Sequence, residues 1–309
     1  MSNPLADTAP PTAADPALEP VPGGLIAGRY RVERCLGQGG MGAVYAAVDL
    51  ERNQPVAVKV LAGHNACDRE FLARFAREAR TTGALDHPAI VKVFEVGRHG
   101  TQPFLVMERL EGETLASRLD RGPLAPDEAL AVLEPLVDGL AYLHREKIIH
   151  RDVKPANVML GDRGRVTLMD FGLVRGPRDP SITRDGFAVG TPGAMAPEQI
   201  LGDGPVDGRA DQYALGAIAF EMFAGRMPFL GLSDVALLRA HIDEPVPDPR
   251  RFRPELPAPV AEVILRAMAK RPDQRFDEVT GFLAALKSAL ALPEARPSSG
   301  GWLGRLLGR

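Results

Sequence analysis

The residues of this sequence that could do chemistry fall into four short segments. The first, Gly37-Gln38-Gly39-Gly40-Met41-Gly42, is a glycine-rich turn between two strand-like runs. Its missing side chains let backbone N–H groups approach phosphate oxygens. The same spacing also marks dinucleotide folds and purely structural hairpins. A dinucleotide site needs the turn to open a helix, whereas Ala43 to Val48 reads as a strand. The second segment is Val56-Ala57-Val58-Lys59-Val60, where Lys59 either faces solvent on an alternating strand or meets a carboxylate. Glu78 offers one: it follows Phe71 by seven residues and Phe75 by three. That spacing puts it on the apolar stripe of a helix, where a carboxylate needs a cationic partner. Arg74, four residues earlier, is the competing partner on the helix surface.

The other two segments are His150-Arg151-Asp152-Val153-Lys154-Pro155-Ala156-Asn157 and, thirteen residues after Asn157, Asp170-Phe171-Gly172. Short β-type runs, Val158 to Leu160 and Val166 to Met169, adjoin them. One loop offers an acid, a cation and an amide, and the next a second acid. Asp and Asn oxygens suit Mg²⁺, a hard ion that prefers a few carboxylates plus substrate phosphates. Structural turns explain either loop alone and the ordered set poorly.

These groups need elements to hold them. Residues 1–24 carry six prolines and three acids without periodicity and read as a disordered leader. Five strands follow, at Tyr30 to Leu36, Val44 to Val48, Pro55 to Leu61, Ile90 to Val96 and Phe104 to Met107, predicting a small antiparallel sheet. A helix with Asp68 as N-cap interrupts them, on the spacing of Phe71, Leu72, Phe75 and Ala79. After Gly122 the pattern is helical. Leu130, Leu133, Leu136, Val137, Leu140 and Leu143 line one long helix in which Pro135 costs a hydrogen bond. Further helices are expected at Ala210 to Phe223, Asp234 to His241, Pro259 to Ala269 and Asp277 to Leu290. Met107 to Leu115 is the natural hinge between a β-rich and an α-rich half, and a cleft between unlike lobes is a usual ligand site.

Composition narrows the class. Lys plus Arg is 37 against 40 for Asp plus Glu, a net charge of −3 in a chain of 309 residues, which argues against a dedicated nucleic-acid binder. Cys35 and Cys67 stand apart with no histidine at metal-ligand spacing, so neither a disulfide framework nor a zinc cluster is expected. No apolar run approaches the ~18 residues of a membrane span, and no Lys or Arg precedes Arg29 to head a signal peptide. The expectation is a cytoplasmic protein.

In this order, the motifs resemble those of the eukaryotic-like Ser/Thr protein kinases found in bacteria. The resemblance runs from about Arg29 to Leu290. It rests on the glycine-rich loop, V-A-V-K at Lys59, the helix glutamate Glu78, H-R-D-x-K-P-x-N, D-F-G and Ala196-Pro197-Glu198. Phe104 to Glu108 is similar to the strand entering the kinase hinge, with Met107 at the gatekeeper position. Asp211 matches the helix aspartate that braces the catalytic loop, and Arg275 the arginine that pairs with Glu198. The fold implied is α+β and bilobal: an N-lobe at 29–107, a hinge at 108–115, a mainly helical C-lobe at 116–290, and a flexible tail at 291–309.

The resemblance also implies roles. Leu36, Gly37 to Gly42, Val44, Ala57 and Met159 would enclose ATP, with Met107, Glu108 and Leu110 at the adenine edge. Lys59 would hold the α/β-phosphates while paired to Glu78, and Asp170 and Asn157 would hold Mg²⁺, with Mn²⁺ as a substitute. Asp152 would orient the acceptor hydroxyl and Lys154 neutralise the γ-phosphate. Lys154 and Thr191 favour Ser or Thr of proteins as acceptors, the chain itself included, in transient homodimers. Arg151 would bind a phosphate on the loop between D-F-G and A-P-E, with Thr183, then Ser181, and Thr191 as the hydroxyls available. Ala194 departs from the family, which usually has tyrosine there; substrate docking is what this touches. The alternative is a pseudokinase scaffold without turnover. The tail, with Trp302, Leu303, Leu306 and Leu307 beside Arg305 and Arg309, is expected to be disordered, with weak contact to an anionic membrane as the rival.

Overall fold

The computed structural model describes residues 21–39, 42–61, 83–170, 192–202 and 204–292. The chain divides into two compact units, Met1–Glu113 with Met159–Gly176, and Thr114–Val158 with Pro177–Arg309.

The first unit is built on an antiparallel sheet of six strands, β1 (Leu25–Ile26), β2 (Tyr30–Gly39), β3 (Gly42–Asp49), β4 (Gln54–Leu61), β5 (Val93–His99) and β6 (Gln102–Glu108). Their order is β1-β2-β3-β4-β6-β5. Val-rich alternation makes one face of the sheet apolar. Val56, Val58 and Val60 pack there with Tyr30, Val32, Tyr45, Phe104 and Val106, and Tyr30 meets Phe104 edge-on at 5.8 Å. The register places Val44, Lys59 and Leu105 in one cross-strand row of the opposite face and Ala46, Ala57 and Met107 in the next.

Three expectations need correction here. The sheet has six strands rather than five, because Ile26 pairs with Tyr30 and is fully buried in the core. The proline-rich composition just before it concealed this strand. The leader also ends sooner than residue 24: the Gly23 N–H donates to Val32 O at 2.8 Å and the Val32 N–H to Gly24 O at 2.9 Å. The strand expected from Ile90 starts at Val93, since Ala89 to Val91 instead pair with Leu168, whose N–H donates to Ala89 O at 2.8 Å. Leu168 ends β9 (Val166–Leu168), which β8 (Val158–Leu160) precedes. The helix expected around Glu78 lies outside the described residues.

The second unit is mainly helical. Its helices are α1 (Leu115–Leu119), α2 (Pro126–Arg145), α3 (Pro197–Leu201), α4 (Gly208–Ala224), α5 (Asp234–Asp243), α6 (Ala258–Ala267) and α7 (Val279–Ala291). Thr114, the last residue of the two-residue strand β7 (Glu113–Thr114), caps α1 by accepting from the Ser117 N–H at 3.2 Å, so the expected hinge gives way to helix at Leu115. Pro135 sits inside α2 without ending it, on a helix whose Val132, Leu133, Leu136, Val137, Leu140 and Leu143 are buried. Tertiary packing outweighs the one lost hydrogen bond. Nearly every side of α4 is apolar and buried, from Ala210 to Ala224, which makes it the central helix of this unit.

Candidate active site

In the first unit, Lys59 leaves the sheet face opposite the valine core and meets Asp170, with Nζ 2.7 Å from Oδ1. Both side chains keep partial exposure, 19% and 33%, so each remains open to a ligand. Asp170 lies two residues beyond the end of β9 and has φ +51. Left-handed backbone at a residue other than glycine costs about 1–3 kcal/mol and persists where surrounding structure enforces it. Glu78, the partner expected for Lys59, lies outside the described residues, as do Gly40 and Met41.

Of the glycine-rich segment, Gly37 to Gly39 end β2 and Gly42 opens β3, with Gly39 paired to Gly42. Gly42 has φ +135, and a Cβ there would collide with the Val60 carbonyl oxygen, so only glycine lets β3 approach β4 at that point. Leu36 on β2 is 42% exposed, Gln38 is exposed beside it, Val44 is half-buried, and Ala57 and Met107 are buried. Leu110 and Met159 are half-buried. The Glu108 carboxylate accepts two bonds from Arg165, at 2.7 and 2.9 Å. That pairing was not foreseen from the sequence, where the two stand 57 residues apart.

The second unit holds the H-R-D loop between α2 and β8. Lys154 Nζ stands 2.9 Å from Asp152 Oδ2, and Asn157 Nδ2 donates to Asp152 O at 2.8 Å and Oδ2 at 3.0 Å. Two functional groups of the loop, Lys154 and Asn157, therefore converge on one carboxylate. This orientation of the Asn157 amide turns Oδ1 away from Asp152 and leaves a hard oxygen for a cation.

The loop is held from beneath. Asp211, near the start of α4 and 1% exposed, accepts from the His150 N–H at 2.9 Å and the Arg151 N–H at 2.8 Å. His144 Nε2 lies 2.8 Å from the same carboxylate. Burial alone would raise the Asp211 carboxyl, but His144 and the His150 N–H outweigh it and hold the group below its ordinary value. Two successive N–H groups on one carboxylate fix Arg151 at φ +65. The Arg151 carbonyl accepts from Gln199 Nε2 at 3.1 Å, a tie to α3 that sequence reading missed. Gln199 follows A-P-E directly, and only the fold brings it to the loop. Glu198 itself forms a bidentate pair with buried Arg275, at 2.7 and 2.8 Å. Ala194 is 7% exposed. Ser181, Thr183 and Thr191 lie outside the described residues.

The family model for the protein kinase domain matches residues 30–285. The serine/threonine-protein kinase PknL of Mycobacterium tuberculosis H37Rv is 39% identical over 282 residues, covering 90% of this chain and 70% of PknL. PrkC of Bacillus subtilis, also a serine/threonine-protein kinase, is 38% identical over 265 residues, covering 85% of this chain and 41% of PrkC. Among solved structures, the PknI kinase domain of M. tuberculosis superimposes with a TM-score of 0.72 at 32% identity, covering 88% of this chain and 99% of that one.

Proposed function

The chain belongs to the protein kinase family and is an ATP-dependent serine/threonine protein kinase, and from that premise we propose how its residues share the work. Asp152 orients the acceptor hydroxyl and takes its proton. Lys154, 2.9 Å from that carboxylate, offsets charge on the transferred phosphoryl group. The family uses ATP with a divalent metal, and Asp170 and Asn157 carry the hard oxygens that suit Mg²⁺, with Mn²⁺ as a substitute. Such a metal, when bound, would shield phosphate charge. The Gly37 to Gly42 hairpin covers the phosphates with backbone N–H groups, and Lys59 binds them in exchange for part of its contact with Asp170. Val44 in one cross-strand row, Ala57 and Met107 in the next, and Leu36 on β2 supply an apolar face for the adenine.

Acceptors are Ser or Thr of proteins, in bacterial signalling. Thr183 is the favoured site of self-phosphorylation, ahead of Ser181, with Arg151 as the cation that receives the phosphate. The reaction takes place in the cytoplasm, and a transient pair of chains suffices for transfer in trans. Among the described residues no helix is long and apolar enough to cross a membrane.

The observation that carries this reading is the convergence of Lys154 and Asn157 on Asp152, on a loop pinned by Asp211. It is tested by incubating the purified chain with radiolabelled ATP, wild type beside Asp152→Asn and Asp170→Ala. Losing a positioned base costs on the order of 10²-fold or more, so Asp152→Asn should transfer less than about a tenth of the wild-type label while still binding ATP. Label in Asp170→Ala equal to wild type would remove Asp170 from the mechanism. A wild-type chain that binds ATP without transfer would leave the scaffold reading instead.

A further inference from the structure

The turn just ahead of A-P-E, Pro192–Ala194, packs against α4 and α5. Buried in α5 is His241, with no exposed surface. Its Nδ1 lies 2.9 Å from the Tyr213 hydroxyl of α4, and the rings of Phe229 and Tyr213 meet it edge-on at 5.1 and 5.8 Å. Among the described residues its Nε2 is the buried side-chain nitrogen left without a hydrogen-bond partner. Buried polar groups are nearly always paired, so an open one asks for a cause.

A neutral imidazole carries one donor and one acceptor. With the Tyr213 hydroxyl donating to Nδ1, the proton sits on Nε2. The Gly193 backbone favours the charged form of the ring, as a carbonyl acceptor does, yet Nε2 closes no full hydrogen bond. Everything around this gap is tied down. Lys270 Nζ donates to the Ala240 and His241 carbonyls at 2.9 and 2.8 Å and lies 5.0 Å from the Phe229 ring centre. Arg275, bound to Glu198, stacks over Tyr213 at 4.9 Å. The turn is packed closely enough that a Cβ at Gly193 would come within 3.2 Å of Met227 Cε.

We propose that His241 is a positioning residue for the protein substrate: docking of the acceptor segment presses the Pro192–Ala194 turn onto the Nε2–H, which closes its bond to the Gly193 carbonyl and holds that turn in its binding shape. This rests on the kinase reading above. His241 then acts on acceptor affinity, not on ATP.

The test measures acceptor and ATP kinetics, with myelin basic protein as the acceptor, for His241→Leu, His241→Gln and Tyr213→Phe. The leucine keeps volume and loses the donor. It should raise the acceptor KM about tenfold with the ATP KM within about twofold. Glutamine, whose amide reaches the Nε2 position, should return the acceptor KM to within about threefold. Tyr213→Phe, which frees the tautomer, should fall between. An unchanged acceptor KM in His241→Leu, equal rises in both KM values, or failure of glutamine to rescue would each overturn the proposal. If the leucine variant does not fold, the glutamine and Tyr213→Phe results decide. Imidazole ¹⁵N shifts of the wild-type chain give an answer independent of turnover: an Nδ1–H tautomer overturns the proposal even in an inactive protein, whereas an Nε2–H tautomer without phosphate transfer overturns the kinase reading alone.

Discussion

Arg275 and Glu198 stand 77 residues apart and meet with two hydrogen bonds around a guanidinium that has no exposed surface. Three carbonyls, of Arg209, Ala269 and Lys270, take its remaining donors. Removing one partner of such a pair leaves a charge buried and unpaired, which costs about 3–5 kcal/mol. Glu198→Ala should therefore lower the unfolding free energy in urea by that amount, and a loss under ~1 kcal/mol would show water reaching Arg275. At His241 the same burial acts on a proton. Burial, then the nearby Lys270 charge, pull its pKa down from 6.5 to about 4, against a smaller opposing pull from Gly193. Tyr213 and Phe229, the other groups against the ring, are neutral over that range. As pH falls below about 6.5 the unfolded chain takes up a proton that the folded chain refuses. Stability should thus drop between pH 6.5 and 4, by up to about 3 kcal/mol. Thermal unfolding across that range should show a shallower slope in His241→Gln. Equal slopes would mean that the folded state accepts the proton.

At the scale of elements, the hairpin of β2 and β3 depends on one backbone position. Gly42→Ala must place a Cβ against the Val60 carbonyl at φ +135, so the hairpin tip has to move away from β4. The expected result is a loss of about 1–3 kcal/mol in stability with a raised ATP KM, measured by urea unfolding and by kinetics at saturating acceptor. An unaltered ATP KM would mean that this hairpin does not touch the nucleotide. The catalytic loop has a comparable dependence on α4. Its left-handed Arg151 is held by the Asp211 carboxylate below and the Gln199 amide beside it, so two helices fix one strained residue next to Asp152.

Across the whole molecule, the family match at 30–285 and the described elements at 21–292 nearly coincide. A chain cut to residues 21–292 should retain wild-type melting temperature and phosphorylate acceptor protein within about threefold of the full chain, because β1, whose Ile26 is buried, is kept. Loss of more than tenfold would assign a role to the segments removed. The same comparison with liposomes tests whether residues 293–309 contact an anionic membrane.

The order of chemical groups and the kind of element around each were legible in the sequence. Val-rich alternation marked the strands from Tyr30 to Met107, and helical spacing marked α2 and α4 to α7 within a few residues, because both signals are local and repeat with the backbone period. The acids and amides of the H-R-D and D-F-G segments were likewise readable from residue type alone. What lay beyond the sequence was long-range pairing. Ile26 entered the sheet through a partner across a turn, Ala89 to Val91 left it for Leu168, and Glu108 found Arg165. Lys59 met Asp170 across 111 positions, and the open nitrogen of His241 exists only because α4, α5 and the 192–194 turn pack together. Periodicity fixes which face of an element is apolar. Which partner then satisfies each buried charge, donor and unpaired backbone group depends on the packing of elements far apart in the chain, and that was decided by the tertiary structure.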